Sequence, residues 1–243
     1  MNALSSDERL PLYQRLRDEL AQQVCGNHWK AGEAIPTEAS LAAEYGLSIG
    51  TVRKAIDMLV GERILERQQG RGTFIRRAQF QDSLFRFFRF QNLQGERLVP
   101  QSRILSVKAL PATPVVSYAL QLAGGAEVIR LQRLRLLEGD PVLAEEIWLP
   151  RAPFEPILNL DLNQEGPLLY PIYEELCGQV IASADETLTA EPVDAEYAQW
   201  LGIEPASPVV VIERVARGYS GQPLEWRRSR GHARHFRYSV EIR

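Results

Sequence analysis

Apolar residues recur with helical spacing over the first quarter of the chain and with strand spacing after it. Leu12, Leu16, Leu20 and Val24 fall every four residues and form one stripe, with Pro11 suited to the first turn and Gly26 to the stop. Thr37 is placed to cap a short helix reaching Tyr45 that buries Leu41, Ala42 and Tyr45, and Gly46 offers a left-handed C-terminal cap. Ser48 caps the next helix, which runs to about Val60 and turns Val52, Ile56 and Leu59 inward. Two helices joined by a short turn containing glycine form the helix-turn-helix pattern, although an ordinary three-helix core shares these signals. Ile64–Arg67 and Thr73–Arg77 then have strand composition on either side of a polar tip, Gln68–Gly72.

The remaining two-thirds alternates strands with short helices. Val128–Leu137 is a strand run, turned by Glu138-Gly139-Asp140-Pro141 into a second run, Val142–Leu149. The arrangement recurs as Val209–Gly218, Ser220-Gly221-Gln222-Pro223 and Leu224–Arg230. Each copy follows a short helix, Val115–Leu122 or Ala195–Leu201, and further helices are expected at Phe154–Leu158 and Leu168–Cys177. This weak duplication predicts two related halves around one antiparallel sheet, an α+β class.

Length and composition support two soluble-type domains. The 243 residues, 45% hydrophobic and 24% charged, divide into an expected domain over 1–77, a linker over 78–83 and a second domain over 84–243. No apolar stretch approaches membrane-spanning length, and the start MNALSSDERL lacks the basic segment and apolar run of a signal peptide. A cytoplasmic protein without a membrane partner is expected. Cys25 and Cys177 lie far apart with no CxxC, which reads as two reduced thiols.

Charge changes the picture locally. From Gly50 to Arg77 there are seven basic residues against three acidic ones, while the whole chain is at −3 with a pI near 5.8. Gly70 and Gly72 let the backbone approach another surface, and Arg71 between them places a cation at the tip. Such a tip suits the minor groove of DNA, where arginine meets concentrated negative potential. Phosphate contacts supply strong sequence-independent affinity, so a small basic face on an acidic body suits a protein that must release its site.

The run LYQRLRDELAQQV, followed by IPTEASLAAEYGLS, TVRKAI and GRGTFI, resembles the DNA-binding domain of the GntR family of bacterial transcription regulators over residues 10–77. The resemblance implies a winged helix-turn-helix in a homodimer, two recognition helices in successive major grooves of a near-palindromic double-stranded operator, and wings at the minor groove. It places Thr37, Ser48, Gly50, Thr51, Arg53, Lys54, Gly70, Arg71, Gly72 and Thr73 at the DNA. Ser48 and Thr51 would meet phosphates or base edges, and Arg53 and Lys54 the backbone or a guanine. Two positions depart from the family's usual arginines, Ala39 and Ile49, so the family's usual operator does not transfer.

IRLQRLRLLEGDPVLAEEIWLP, GPLLYPIYEE and VIERVARGYSGQPLEWRRSR resemble the UTRA effector domain of the HutC subfamily, over roughly residues 83–243. The resemblance implies the fold of chorismate lyase, used without catalysis to hold a small molecule. The residues independently favour an anion. Arg133 and Arg135, two apart on a strand, point to one sheet face, where paired guanidiniums suit a phosphate or carboxylate. Glu145 follows the Gly-Pro turn on the neighbouring strand, placed to accept from ligand hydroxyls or amines, and Glu225 holds a related position in the second copy, with Arg227 two residues on. The family's pocket residues map onto Arg133, Arg135, Glu145, Tyr170 and Glu225. The alternative for each Arg–Glu set is a cross-strand ion pair.

SLFRFFRF, residues 83–90, offers Arg86 and Arg89 as further effector contacts, or phenylalanines that dock the linker. Arg227-Arg228-Ser229-Arg230 with Arg234 forms another cationic cluster, suited to a charged ligand or a solvated strand face. His232-x-x-His235 lacks a third clear ligand, so no metal and no cofactor is expected. No GxSxG, Walker, HExxH or Cys–His signature occurs, and an enzymatic reading, such as a small-acid-processing enzyme, rests on fold analogy alone. A DNA-binding protein without effector is the other alternative. The expectation is a regulator, more a repressor than an activator, controlled by a small anionic metabolite.

Overall fold

The computed structural model describes residues 9–26, 28–76 and 99–236. The chain forms two compact units with a boundary after Ala78, residues 218–221 being grouped with the first.

The first unit holds helices α1 (Leu12–Cys25), α2 (Glu38–Tyr45) and α3 (Ile49–Gly61) and the hairpin β1 (Leu65–Gln68) and β2 (Gly72–Ile75). The apolar stripes close on one another: Leu16, Leu20 and Val24 meet Leu41 and Tyr45 of α2 and Val52, Ile56 and Leu59 of α3. Leu12 lies in the first turn of α1, beyond the core's reach, and is exposed. The caps form where anticipated. Thr37 Oγ1 accepts from the Ser40 amide at 3.2 Å, Ser48 Oγ accepts from the Thr51 amide at 3.1 Å, and Gly46 adopts φ +66°. The hairpin pairs Leu65 with Ile75 and Gln68 with Gly72. Its tip is closed by the Arg71 amide donating to the Gln68 carbonyl at 2.9 Å, with Gly70 at φ +73°. Backbone bonds from Ile35 to Thr73 and from Ile75 to Glu33 hold the other edge of β2, so the hairpin is anchored on both sides.

The second unit is a six-stranded antiparallel sheet in the order β3-β4-β5-β8-β7-β6. Its strands are β3 (Gln101–Pro111), β4 (Glu127–Leu137), β5 (Asp140–Pro150), β6 (Ser183–Pro192), β7 (Pro208–Arg217) and β8 (Pro223–His232). Each half runs strand, helix, strand, hairpin, strand, with α4 (Pro114–Ala119) in the first half and α7 (Ala195–Leu201) in the second. The duplication read from the chain is therefore a real repeat. The halves join through β5 and β8, where Trp148 faces Trp226 in register. Between the halves lie α5 (Arg151–Phe154), a 3₁₀ turn (Glu155–Asn159) and α6 (Leu169–Cys177).

The two sheet faces carry different cores because strand side chains alternate. On one face Ile129, Leu131, Ile147 and Leu149 pack against Phe154, Ile157, Ile172 and Tyr173. On the other, α4 covers Val128, Trp148 and Trp226, while α7 covers Leu134, Ala144 and Val211.

The edge strands β3 and β6 were not anticipated. Among the described residues each is paired on one side only and mixes exposed with half-buried positions, so its composition carries no apolar run. The expected helix at Phe154–Leu158 is a short α5 passing into 3₁₀ geometry, with Pro156 in its first turn. Among the described residues no helix is long and apolar enough to cross a membrane, and Cys25 and Cys177 are free thiols.

Leu59 is fully buried at the centre of the first core. Leu59→Ala should destabilise that unit by about 2–5 kcal/mol through lost transfer energy and the residual cavity. Denaturant unfolding followed by circular dichroism checks this; an unchanged midpoint would contradict the packing described.

Candidate DNA interface and effector site

The DNA-facing candidates gather at the start of α3 and on the hairpin. Ser48 and Thr51 exchange a hydroxyl hydrogen bond at 2.9 Å at the exposed helix N-terminus. A Cβ at Gly50 would meet only Ser48 Oγ, at 3.8 Å, so nothing in the protein itself requires glycine there. Ile49 beside it is half exposed. Arg53 projects outward but is tethered: its Nε donates to Glu38 Oε2 at 3.0 Å. The same carboxylate takes Arg67 of β1 at 3.3 Å, and Arg67 also reaches Asp57 at 2.7 Å. Glu38, which the sequence reading passed over, thus ties α2, α3 and the hairpin together. Lys54 differs from Arg53: its ammonium sits 3.7 Å from the Tyr13 ring centroid, a cation–π contact within the protein. Thr37 serves α2 as its cap, bonded to Ser40. Arg71, Gly70 and Gly72 are exposed at the tip and Thr73 is half buried, with the Arg71 guanidinium 5.5 Å from the Phe74 ring.

The effector candidates converge on the sheet face under α6. Cross-strand register sets Arg133 of β4 opposite Glu145 of β5, and Glu145 opposite Ser229 of β8. Arg133 donates through Nε to Glu145 Oε2 at 2.6 Å, and its Nη2 lies 2.6 Å from the same oxygen. Glu145 Oε1 accepts from Ser229 Oγ at 3.0 Å and faces Arg227 Nη1 at 3.5 Å. Glu225 is saturated as well, by Tyr170 at 3.1 Å, Tyr173 at 2.9 Å and Arg227 Nη2 at 2.7 Å. Arg214 of β7 donates to the Tyr170 hydroxyl at 3.1 Å and to Glu186 of β6 at 2.8 Å.

Both carboxylates are fully buried and have their acceptor positions filled by the protein. Glu145, set out as an acceptor for ligand hydroxyls, accepts in this structure from Arg133 and Ser229. Nor are the hairpin glutamates equivalent: Glu145 pairs with Arg133, whereas Glu225 pairs with Ala216. The cross-strand ion-pair reading holds for Arg133, but not for Arg135. Arg135 is completely buried, its Nη1 donates to the Pro167 carbonyl, and among the described residues its Nε and Nη2 have no partner. Arg227 Nε is likewise buried and unpartnered.

The electrostatics follow. Burial would push Glu145 up, but Arg133, Arg227 and Arg135 outweigh it and hold the carboxyl at about 2, from an ordinary 4.5. Burial and the like charge of Arg133 lower Arg135 to about 10, leaving it a cation at neutral pH. Burial and Glu225 push the Tyr170 and Tyr173 phenols up, so both remain protonated donors.

The expected cationic cluster on β8 splits by strand alternation. Arg227 and Ser229 join the buried site, whereas Arg228 and Arg230 point to the other face and pair with Glu191 at 3.3 and 3.2 Å. Arg230 also stacks over Tyr197 at 4.0 Å. His232 Nδ1 accepts from the Arg234 amide and His235 from the Arg234 side chain, so the histidine pair is engaged locally. Among the described residues no three His, Cys, Asp or Glu side chains gather as a metal site. Arg86 and Arg89 lie outside the described residues, as does the linker. Sequence reading missed Arg214, Glu186 and Tyr173, and placed Ser229 only within the cationic cluster of β8. Arg214 carried a signal, a lone cation on an otherwise apolar alternation in β7.

A unit of three helices with a hairpin wing and a second unit built on an antiparallel sheet with a buried cationic site define the class of an effector-controlled DNA-binding regulator. The chain matches the gntR family of bacterial regulatory proteins over residues 12–75 and the UTRA domain over residues 95–237, and it belongs to the GntR family with a UTRA effector domain. It is 30% identical over 222 residues, 90% of each chain, to the mannosyl-D-glycerate transport/metabolism system repressor MngR of Escherichia coli. It is 28% identical over 214 residues, 87% of this chain and 84% of the other, to a fructoselysine utilization operon transcriptional repressor of Escherichia coli. The ligand-binding domain of a GntR-family regulator from Bordetella bronchiseptica aligns with TM-score 0.53 and 28% identity, covering 61% of this chain and 99% of that one. The protein is a DNA-binding transcription regulator with a metabolite-binding domain, in a family of regulators rather than enzymes.

Arg53→Ala should weaken operator binding by about 1–3 kcal/mol if the side chain reads a base, or lower the salt slope by about one if it meets a phosphate. Fluorescence anisotropy with operator DNA across a salt series separates the two, and unchanged affinity would displace Arg53 from the interface.

A carboxyl whose folded pKa lies below its unfolded one stabilises the fold above the unfolded value and loses that stabilisation as pH falls through the folded value. For Glu145 the window runs from about 4.5 down to about 2. Glu145→Gln should therefore cost about 3 kcal/mol at neutral pH, with the gap to wild type closing in acid. Urea unfolding at neutral and acid pH measures it; a pH-independent gap would contradict the charge network.

Proposed function

We propose that the chain is a homodimeric repressor whose operator affinity is set by a small organic anion held against Arg135. Residues 1–77 serve as the reader and residues 84–243 as the effector-binding and dimerisation domain, joined by 78–83, acting in the cytoplasm. One observation carries the reading: a fully buried arginine keeps two guanidinium nitrogens, Nε and Nη2, without a hydrogen-bond partner among the described residues. Leaving buried charged donors unpaired is costly, and arginine donors in such a site match the oxygens of a phosphate or carboxylate. The two Escherichia coli relatives are named as repressors, which supports repression here.

In the reader, Ser48, Gly50, Thr51 and Arg53 face the major groove and Gly70–Thr73 the minor groove, with Lys54 giving part of its charge to Tyr13. The unneeded glycine at position 50 supports close approach of a phosphate or base edge. Switching works by linkage: the anion favours a dimer geometry in which recognition-helix spacing no longer matches the half-sites. A coupling of about 1–3 kcal/mol, some 5–150-fold, is ordinary for such a switch.

Arg135→Ala should keep operator binding within about twofold and abolish release by small anions, because the change lies in the effector site alone. Operator binding titrated with and without a metabolite extract from the host tests it. Release that persists in the variant would remove Arg135 from the effector site.

A further inference from the structure

The carboxylate of Glu38 joins two arginines and satisfies them unequally. Glu38 stands half-buried in the first turn of α2, where the helix dipole favours a carboxylate. Its Oε2 takes one edge of Arg53 on α3, with Nε at 3.0 Å and Nη2 at 2.9 Å. Its Oε1 takes Arg67 of β1 at 3.3 Å, and Arg67 also meets Asp57 at 2.7 Å. Arg67 is therefore held between two carboxylates. Among the described residues Arg53 has only Glu38 within ion-pair distance.

A guanidinium presents its N–H groups as a planar fork. With the Nε–Nη2 edge on Glu38, the remaining donors are Nη1 and the outer N–H of Nη2, an end-on pair directed away from the carboxylate. The Arg53 side chain is more than half exposed. It lies on the solvent side of α3 with Gly50 and Asp57, away from the buried Val52, Ala55 and Leu59. The first turn of α3, IGTV, carries no cation of its own, and the Lys54 ammonium sits over the Tyr13 ring. Arg53 is thus the first cation of the helix with paired donors to offer.

Charge compensation decides what those donors recognise. Phosphates are drawn by charge, and a phosphate brought to Arg53 also meets Glu38, a like charge. The major-groove edge of guanine is neutral and offers two acceptors, N7 and O6, that match the paired donors of an arginine. Resting on the reading that Arg53 faces the major groove, we propose that Glu38 is a positioning residue that makes Arg53 a guanine reader rather than a phosphate contact. By the same charge it sets the ratio of specific to non-specific DNA binding.

The experiment starts from a duplex selected by the full-length protein from a randomised library. That duplex and a shuffled one of equal composition are titrated by fluorescence anisotropy across a salt series, with each guanine replaced in turn by 7-deazaguanine, which lacks the N7 acceptor. For at least one guanine the replacement should weaken wild type by about fivefold or more and leave Arg53→Ala indifferent. Glu38→Gln should bind the shuffled duplex about three- to tenfold tighter, with a salt slope steeper by about one, and show a smaller 7-deazaguanine penalty. A purely structural role for Glu38 moves both duplexes together and leaves the slope alone, so that result, or no change in either duplex, would overturn the proposal. Equal weakening of both duplexes by Arg53→Ala, with no guanine whose penalty it removes, would make Arg53 a phosphate contact. That overturns the guanine assignment and leaves Arg53 at the DNA. Unchanged binding of both duplexes by Arg53→Ala would overturn the assignment and the placement of the recognition helix together. If Glu38→Gln does not fold, Arg53→Lys decides, because a lysine held by Glu38 has no fork to present. It should keep the shuffled duplex and lose the guanine, and a retained guanine preference would overturn the proposal.

Discussion

The pairing of Arg133 with Glu145 in the middle of the sheet governs the effector domain. Two ions removed from water cost several kcal/mol each unless geometry and further hydrogen bonds compensate. Here Glu145 spans three strands, bonded to Arg133 on β4 and Ser229 on β8 while standing on β5. A slip of one residue in register would turn these groups to the opposite face, so the charge network and the sheet register enforce each other. Tyr170 and Tyr173 extend the constraint to α6, because both phenols close on Glu225 of β8. Once these demands are met, both buried carboxylates are engaged by the protein, and among the described residues Arg135 keeps Nε and Nη2 without a hydrogen-bond partner.

The reader achieves a similar economy on its surface. Ser48 and Thr37 each begin a helix by accepting an amide hydrogen, and Glu38 gathers Arg53 and Arg67 on one carboxylate. Exposed ion pairs of this kind contribute little to stability, so their value lies in direction. Arg53 is held by Glu38 yet its side chain remains largely solvent-facing. The second edge of β2 is hydrogen-bonded to the segment before α2 through Ile35 and Glu33.

Much of this was readable along the chain. The helices of the reader follow from a strong 3.6-residue period and matching caps, signals that tertiary packing reinforced rather than opposed. The central strands and both hairpins follow from apolar runs and Gly-x-Pro turns. Arg133 and Arg135 stood out because charge two residues apart on a buried strand has few explanations. The edge strands β3 and β6 did not stand out, since half of each faces solvent and its residues satisfy no core. Tyr173 and Ser229 looked like ordinary helix and strand residues, and only their convergence on carboxylates from distant segments gives them a role.

By itself the sequence determined the two-domain order, the helix-turn-helix with its hairpin, the duplicated sheet halves and the presence of paired arginines, because each depends on local periodicity or on turn chemistry within a few residues. Tertiary structure decided the division of labour. Arg133 and Arg135 are alike in sequence context, and what separates them is which strand neighbour supplies a carboxylate: Glu145 lies opposite Arg133, while Leu143 lies opposite Arg135. Hydrogen-bond saturation is a property of atoms brought together from β4, β5, α6, β7 and β8, and no reading of one segment at a time contains it.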